Sequence, residues 1–153
     1  MRNENDPAAP AALSLCDAIA ERIADAFPEI PEGRVLAAVC PVVEPADVSA
    51  LRVCVFPTGL EREGGTRALR EHVCSVSVAV MEPVQGAYGP DAAKVNACAA
   101  LVEQIAATLD GFRFDDLGAT VATASVAVYC DPDWLRDGVF LGVAALRARR
   151  FAP

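Results

Sequence analysis

Residues 71–82 read EHVCSVSVAVME. His72, Cys74, Val76, Val78 and Val80 fall on one side of this run, and Val73, Ser75, Ser77 and Ala79 on the other. That period of two belongs to a strand. One side is largely aliphatic and the other mixed, so the run predicts a long, half-buried strand with a sheet built around it.

Working outward, the stretch just before it, TGLEREGGTRALREH (58–72), carries acidic side chains, arginines and a Gly-Gly pair between two apolar runs, and reads as a flexible charged loop joining two strands. Further upstream, Arg34 to Val43 and Leu51 to Pro57 are β-rich and are separated by the proline-bearing EPADVSA, a hairpin or a looser crossover. From Leu13 the period becomes helical. Leu15, Cys16, Ile19, Ile23, Ala26 and Phe27 share one face, with Asp17, Glu21, Arg22 and Asp25 on the other, until FPEIPEG stops the helix.

Downstream, Ala92 to Leu109 repeats a helical stripe of Val95, Cys98, Ala99, Val102, Ile105, Ala106 and Leu109, with Asp91 as N-cap and Asp110-Gly111 as terminator. Thr120 to Cys130 and Val139 to Arg149 are two more strands joined by DPDWLRDG, in which Trp134 and Leu135 are expected to plug the sheet edge. Strands grouped in sequence, without strict βα alternation, predict an α+β fold. The expected architecture is a single, mostly antiparallel sheet of about five strands with two helices packed on one face, in the order α-β-β-β-α-β-β. Residues 1–11 are expected to form a flexible arm and residues 12–153 one domain.

Composition narrows the function. The chain has 153 residues, 54% hydrophobic and only 6% aromatic, so its core is expected to use small aliphatic side chains in thin layers. A net charge of −8 argues against binding nucleic acid by neutralising phosphates. Six cysteines occur without a C-x-x-C pair and mostly among apolar neighbours, which predicts reduced, buried thiols in a protein made in the cytoplasm. No long apolar run or hydrophobic leader is present, so neither membrane insertion nor export is expected.

Chemical motifs fail one by one. EREGGTRALR has glycines but lacks the lysine of a phosphate loop, and a strand follows it. His72 is the chain's one histidine, with no nucleophile and orienting group to complete a triad. DPDWLRDG has Leu135 at its fifth position and no closing glutamate, unlike a calcium loop, and Asp115 and Asp116 are neighbours in a turn. No catalytic residue, cofactor or metal is expected.

Taken in order, LCDAIAERIADAF, LRVCVFPTGLE, REHVCSVSVAVMEPV, KVNACAALVEQIAATL and YCDPDWLRDGVFLGVAALRARR resemble the tail terminator and tail-completion (neck) proteins of long-tailed phages, over about residues 13–150. Within the last segment Asp131, Pro132, Leu135, Phe140 and Arg147 or Arg149 fit that family's Asp-Pro turn and Arg-ending strand, whereas the Ala/Gly-rich final strand and the six cysteines depart from it. The resemblance implies a structural virion protein, not an enzyme. It would form a homohexameric ring that caps the tail tube, stops its polymerisation and joins it to the head-tail connector or stopper protein, while DNA passes through the lumen without specific binding. Glu61, Arg62, Glu63, Arg67 and Arg70 are then the candidate partner-contact loop, expected to order on contact, and Trp134, Arg136, Arg147 and Arg149 the candidate ring contacts. Another head-tail neck component, or a small cytoplasmic ligand-binding α+β domain, fits the same pattern.

Overall fold

A computed structural model describes residues 10–63 and 70–152. The chain runs α1 (Ala11–Ala26), β1 (Val35–Ala37), β2 (Arg52–Glu63), β3 (Arg70–Pro83), a small hairpin of β4 (Gln85–Gly86) and β5 (Gly89–Pro90), α2 (Ala92–Leu109), β6 (Arg113–Phe114), β7 (Ala119–Val128), α3 (Pro132–Arg136) and β8 (Val139–Ala152). Six strands form one sheet in the order β1-β2-β3-β8-β7-β6, antiparallel throughout except that β1 runs parallel to β2. The fold is α+β with a mostly antiparallel sheet, as the sequence predicts, with one more strand and one more short helix.

The alternation of β3 is the axis of the molecule. Cys74, Val76, Val78 and Val80 join Val53 and Val55 of β2 and Phe140, Ala144, Leu146 and Ala148 of β8 in the main core. Leu15, Cys16, Ile19 and Ile23 of α1, and Cys98, Val102, Ile105 and Leu109 of α2, cover that face. Both long helices therefore lie on one side of the sheet. Small side chains bring them close: a Cβ placed on Gly142 would sit 2.8 Å from Val102 Cγ2 and 2.9 Å from the Phe140 ring. Asp91 caps α2 by accepting from the backbone N–H of Ala93 and Lys94, and Pro28 follows the end of α1, where a helix cannot continue through the next residue.

Four expectations change. The run 34–43 forms a strand only over Val35–Ala37. Parallel neighbours need a crossover, so residues 38–51 leave the sheet instead of turning back as a hairpin. That crossover includes a 3-10 turn at Pro45–Asp47 and passes over the face opposite the helices, where Val48 packs with Cys54, Ala79, Met81 and Val139, and Val43, Phe56 and Trp134 lie against them.

Second, the stretch 58–72 is mostly strand. β2 continues through Thr58–Glu63 and β3 begins at Arg70, with Arg62 opposite His72 and Glu63 opposite Glu71. A register shift between Pro57 and Gly59 bends the ribbon there. Arg67 and the Gly-Gly pair lie outside the described residues. Third, DPDWLRDG contains a helical turn, α3, because Asp131 caps it and Pro132 occupies its first turn. Fourth, of the expected arm 1–11, residues 1–9 lie outside the described residues and Ala11 already belongs to α1.

Candidate interaction surfaces

The register gives the sheet two unlike ends. At one end β2 and β8 start and β3 and β7 finish, since Arg52 pairs with Met81, Pro83 with Val139 and Val128 with Val143. At the other, Glu63 faces Glu71, His72 faces Arg150, and Arg150 faces Ala119.

The second end is charged on both faces. On the face opposite the helices, Arg147 Nη2 lies 3.7 Å from Glu61 Oε2, and Arg149 Nη1 lies 3.6 Å from Glu71 Oε1. Ser75, Ser77, Ala145, Thr120, Thr123 and Ser125 share this face by register, and their short side chains leave the sheet surface low and polar. Val73 stands between Glu61 and Arg149 and is only 2% exposed, flanked by those long side chains. On the helix side, pairing sets Arg62, His72 and Arg150 in one row across β2, β3 and β8. Two guanidinium-bearing side chains flank His72 in this row, so it is a place where an anionic group of a partner would be favoured. Sequence reading singled out Arg62 but not the row, because the alignment of Arg62 with Arg150 depends on the pairing of three strands and is not periodic in the chain.

At the first end Asp131 organises α3. Its Oδ1 accepts from Asp133 N–H at 2.9 Å and Trp134 N–H at 3.1 Å, and its own N–H donates to the Leu141 carbonyl at 2.8 Å. Trp134 thereby covers the face opposite the helices, closing a groove of about 120 Å³ with Pro41, Val43, Phe56, Met81 and Leu141, while Leu135 packs against the main core. The expected plug at the sheet edge is thus split between two faces. Arg136 pairs with Asp133 at 3.2 Å, with both side chains mostly exposed, an arrangement worth little stability.

The sequence-predicted residues therefore fall into two groups. Glu61, Arg62, Arg147 and Arg149 come together with Glu71 and His72 on the ribbon end, and β2 and β3 bring the backbones of Glu63 and Arg70 there as well. Trp134 and Arg136 stand at the opposite end. The four expected ring contacts do not form one patch.

Other features bear on chemistry. Burial lifts the Cys16 thiol from 9.0 to about 12, with Cys74 and Asp17 adding to the shift. Burial also raises Cys54, Cys74, Cys130 and Cys98, and Cys98 Sγ donates to Glu82 Oε2 at 2.9 Å. A thiol held protonated is a poor nucleophile at neutral pH. Cys40 alone among the six is exposed. An open groove between α1 and residues 112–117 places the Arg22 guanidinium 4.7 Å over the Phe112 ring, a cation-π contact, with Glu21, Asp25, Asp115 and Asp116 around it. Among the described residues no group of three or more His, Cys, Asp or Glu side chains is placed to hold a metal, and no helix is long and apolar enough to cross a membrane.

No protein-family model matches the chain, and a comparison with curated proteins finds no match.

Proposed function

We propose that this protein is a structural subunit of the phage tail terminator class, which assembles as a ring on the end of a tail tube, stops its growth and presents a face to the head-tail connector. The observation that carries this reading is that the sheet has two unlike ends: a ribbon of β2, β3 and β8 ends in Arg–Glu pairs that span its strands, while at the opposite end α3 lays Trp134 over an apolar groove and keeps its Arg136–Asp133 pair within one helical turn. A ring joins one surface of each subunit to a different surface of the next, and a stacked ring meets unlike partners above and below. A subunit with two chemically distinct ends suits both. Mixed charge on the ribbon end favours register and partner choice more than affinity, as a contact between stacked rings requires.

The acidic balance, −8 overall, suits a lumen through which DNA slides without binding. A ligand-binding reading gains little from the Trp134 groove, whose roughly 120 Å³ falls below the range of about 300–1,000 Å³ usual for small-molecule sites; the groove beside Arg22 reaches about 380 Å³ but is open and lined largely by charged side chains, unlike the mostly apolar lining of such sites.

The test is electron microscopy of the purified chain added to growing tail tubes made from the tube protein of the same genome. Tubes capped at one end and arrested in length support the proposal. Tubes that lengthen as they do without the chain contradict it, and a chain that binds only connector rings points to another neck component.

A further inference from the structure

In a chain with 22% charged residues, the two lateral sides of the sheet each carry a long stretch without charge, although β6, with Arg113 and its ion-pair partner Asp115, borders the second. Residues 35–43, VLAAVCPVV, contain β1 and the start of the crossover, and residues 117–130, LGATVATASVAVYC, contain β7. Among the described residues seven large apolar side chains are exposed, and five of them, Leu36, Val39, Val42, Val128 and Tyr129, lie in these two stretches. β1 is the terminal strand on one side. On the other, residues 111–114 cover β7 from Ala119 to Val121, where Gly111 N–H donates to the Val121 carbonyl and Val121 N–H to the Phe112 carbonyl, and the edge beyond, from Thr123 to Val126, is open apart from the bond from Ala124 N–H to Asp110 Oδ1. Natural edges are usually guarded by lysine, proline or charge, because unpaired backbone groups invite another strand.

Direction also matches. β1 runs parallel to β2, β2 opposite to β3, β3 opposite to β8 and β8 opposite to β7, so β7 runs opposite to β1 within the sheet. A second copy displaced along the sheet would therefore bring its β1 antiparallel to the first copy's β7. Arg34 and Ala38 direct backbone bonds toward β2, which leaves Val35 and Ala37 directing theirs outward. Leu36, level with Cys54, and Ser125, level with Ala145 and Ser77, face the same side of the sheet.

From this we infer that the β7 edge of one copy pairs with the β1 edge of the next, so that the sheets of neighbouring subunits run on into one another. The contact is heterologous and closes a ring when the rotation divides the circle. It moves the subunit junction from the four residues that the family resemblance implied to Leu36, Val39 and Thr123–Val126, and it rests on the ring reading only for closure.

Light scattering coupled to size-exclusion chromatography tests it on the full chain, with Leu36→Lys and Ser125→Lys as edge variants. Both substitutions are at exposed positions, so thermal unfolding midpoints should match wild type and show that each variant is folded. Wild type is expected to run as an oligomer and each variant as a monomer. An equimolar mixture should give a species of two chains, because Leu36→Lys keeps a sound β7 and Ser125→Lys a sound β1. A wild type that stays monomeric up to its solubility limit, a folded variant that keeps the wild-type oligomer, or a mixture that stays monomeric overturns the inference. The result is separable from the terminator reading: oligomers that depend on both edges but leave tube growth unchecked retain this junction and remove that function.

Discussion

Arg147 on β8 reaches across β3 to Glu61 on β2, Nη2 to Oε2 at 3.7 Å, although β8 and β2 are not neighbours in the sheet. Two strand spacings amount to about 10 Å, which a guanidinium on a long stem can span only over short side chains. Ser75 and Val73 supply that low ground. The pair is 55% and 71% exposed, so its Coulomb energy is largely screened. Its value lies in holding charge at fixed positions on the ribbon.

Glu61→Gln should accordingly change stability by no more than about 0.5 kcal/mol in urea unfolding. Replacing both Arg147 and Arg149 by Ala should cost about 1 kcal/mol, because the stems beside Val73 are lost along with the charges. Under the proposed function the same double variant also weakens tube capping, and Glu61→Arg weakens it more than Glu61→Gln.

Gly142→Ala should destabilise by about 1–3 kcal/mol, the usual cost of forcing a methyl into a filled core. The added Cβ would sit 2.8 Å from Val102 Cγ2. Pairing it with Val102→Ala makes room, and the double variant should recover part of the loss that Gly142→Ala causes on its own. Additive losses in the two-variant cycle would show that α2 does not rest on Gly142.

How far the sequence determined this fold can be read from such contacts. Periodic patterns were legible: the stripe of α2 with its Asp91 cap, and the alternation of β3, each lie within one segment and need no partner to be recognised. The close packing at Gly142 was legible only as a composition of small residues. Contacts set by pairing were not. The run 34–43 reads as a long strand because its residues are apolar, yet only Val35–Ala37 form one, and of the rest Val39 and Val42 are exposed while Val43 packs on the far face. The charged stretch before β3 reads as a loop because glycine and charge suggest one, yet two long strands carry their pairing out to Glu63 and Arg70. The basic row of Arg62, His72 and Arg150 required knowledge of three registers at once.

Asp131→Ala removes the acceptor for two N–H groups at the start of α3 and should cost about 1 kcal/mol. Trp134 is the chain's one tryptophan, so its fluorescence reports the same event directly. Its emission should shift to the red as the side chain leaves its groove, whereas Asp131→Asn, which can still cap, should keep both stability and emission close to wild type.

The thiols give a pattern with a definite sign. A maleimide should label Cys40 rapidly in the native chain, and the buried thiols only on unfolding. Burial lifts the Cys16 pKa from 9.0 in the unfolded chain to about 12 in the fold, so the fold favours the protonated thiol. That contribution is complete below pH 9 and is lost as pH rises toward 12, so unfolding midpoints should fall across this window. In Cys16→Ala the fall should be shallower, although the variant is less stable throughout.

The central claim is a ring that ends a tail tube. Negative-stain electron microscopy of tubes grown with and without the purified chain tests it most directly. The account predicts annular density at one end of each tube, six-fold in projection, and a narrow length distribution once the chain is added. Tubes with bare ends and unchanged lengths, at chain concentrations above that of tube ends, would contradict it.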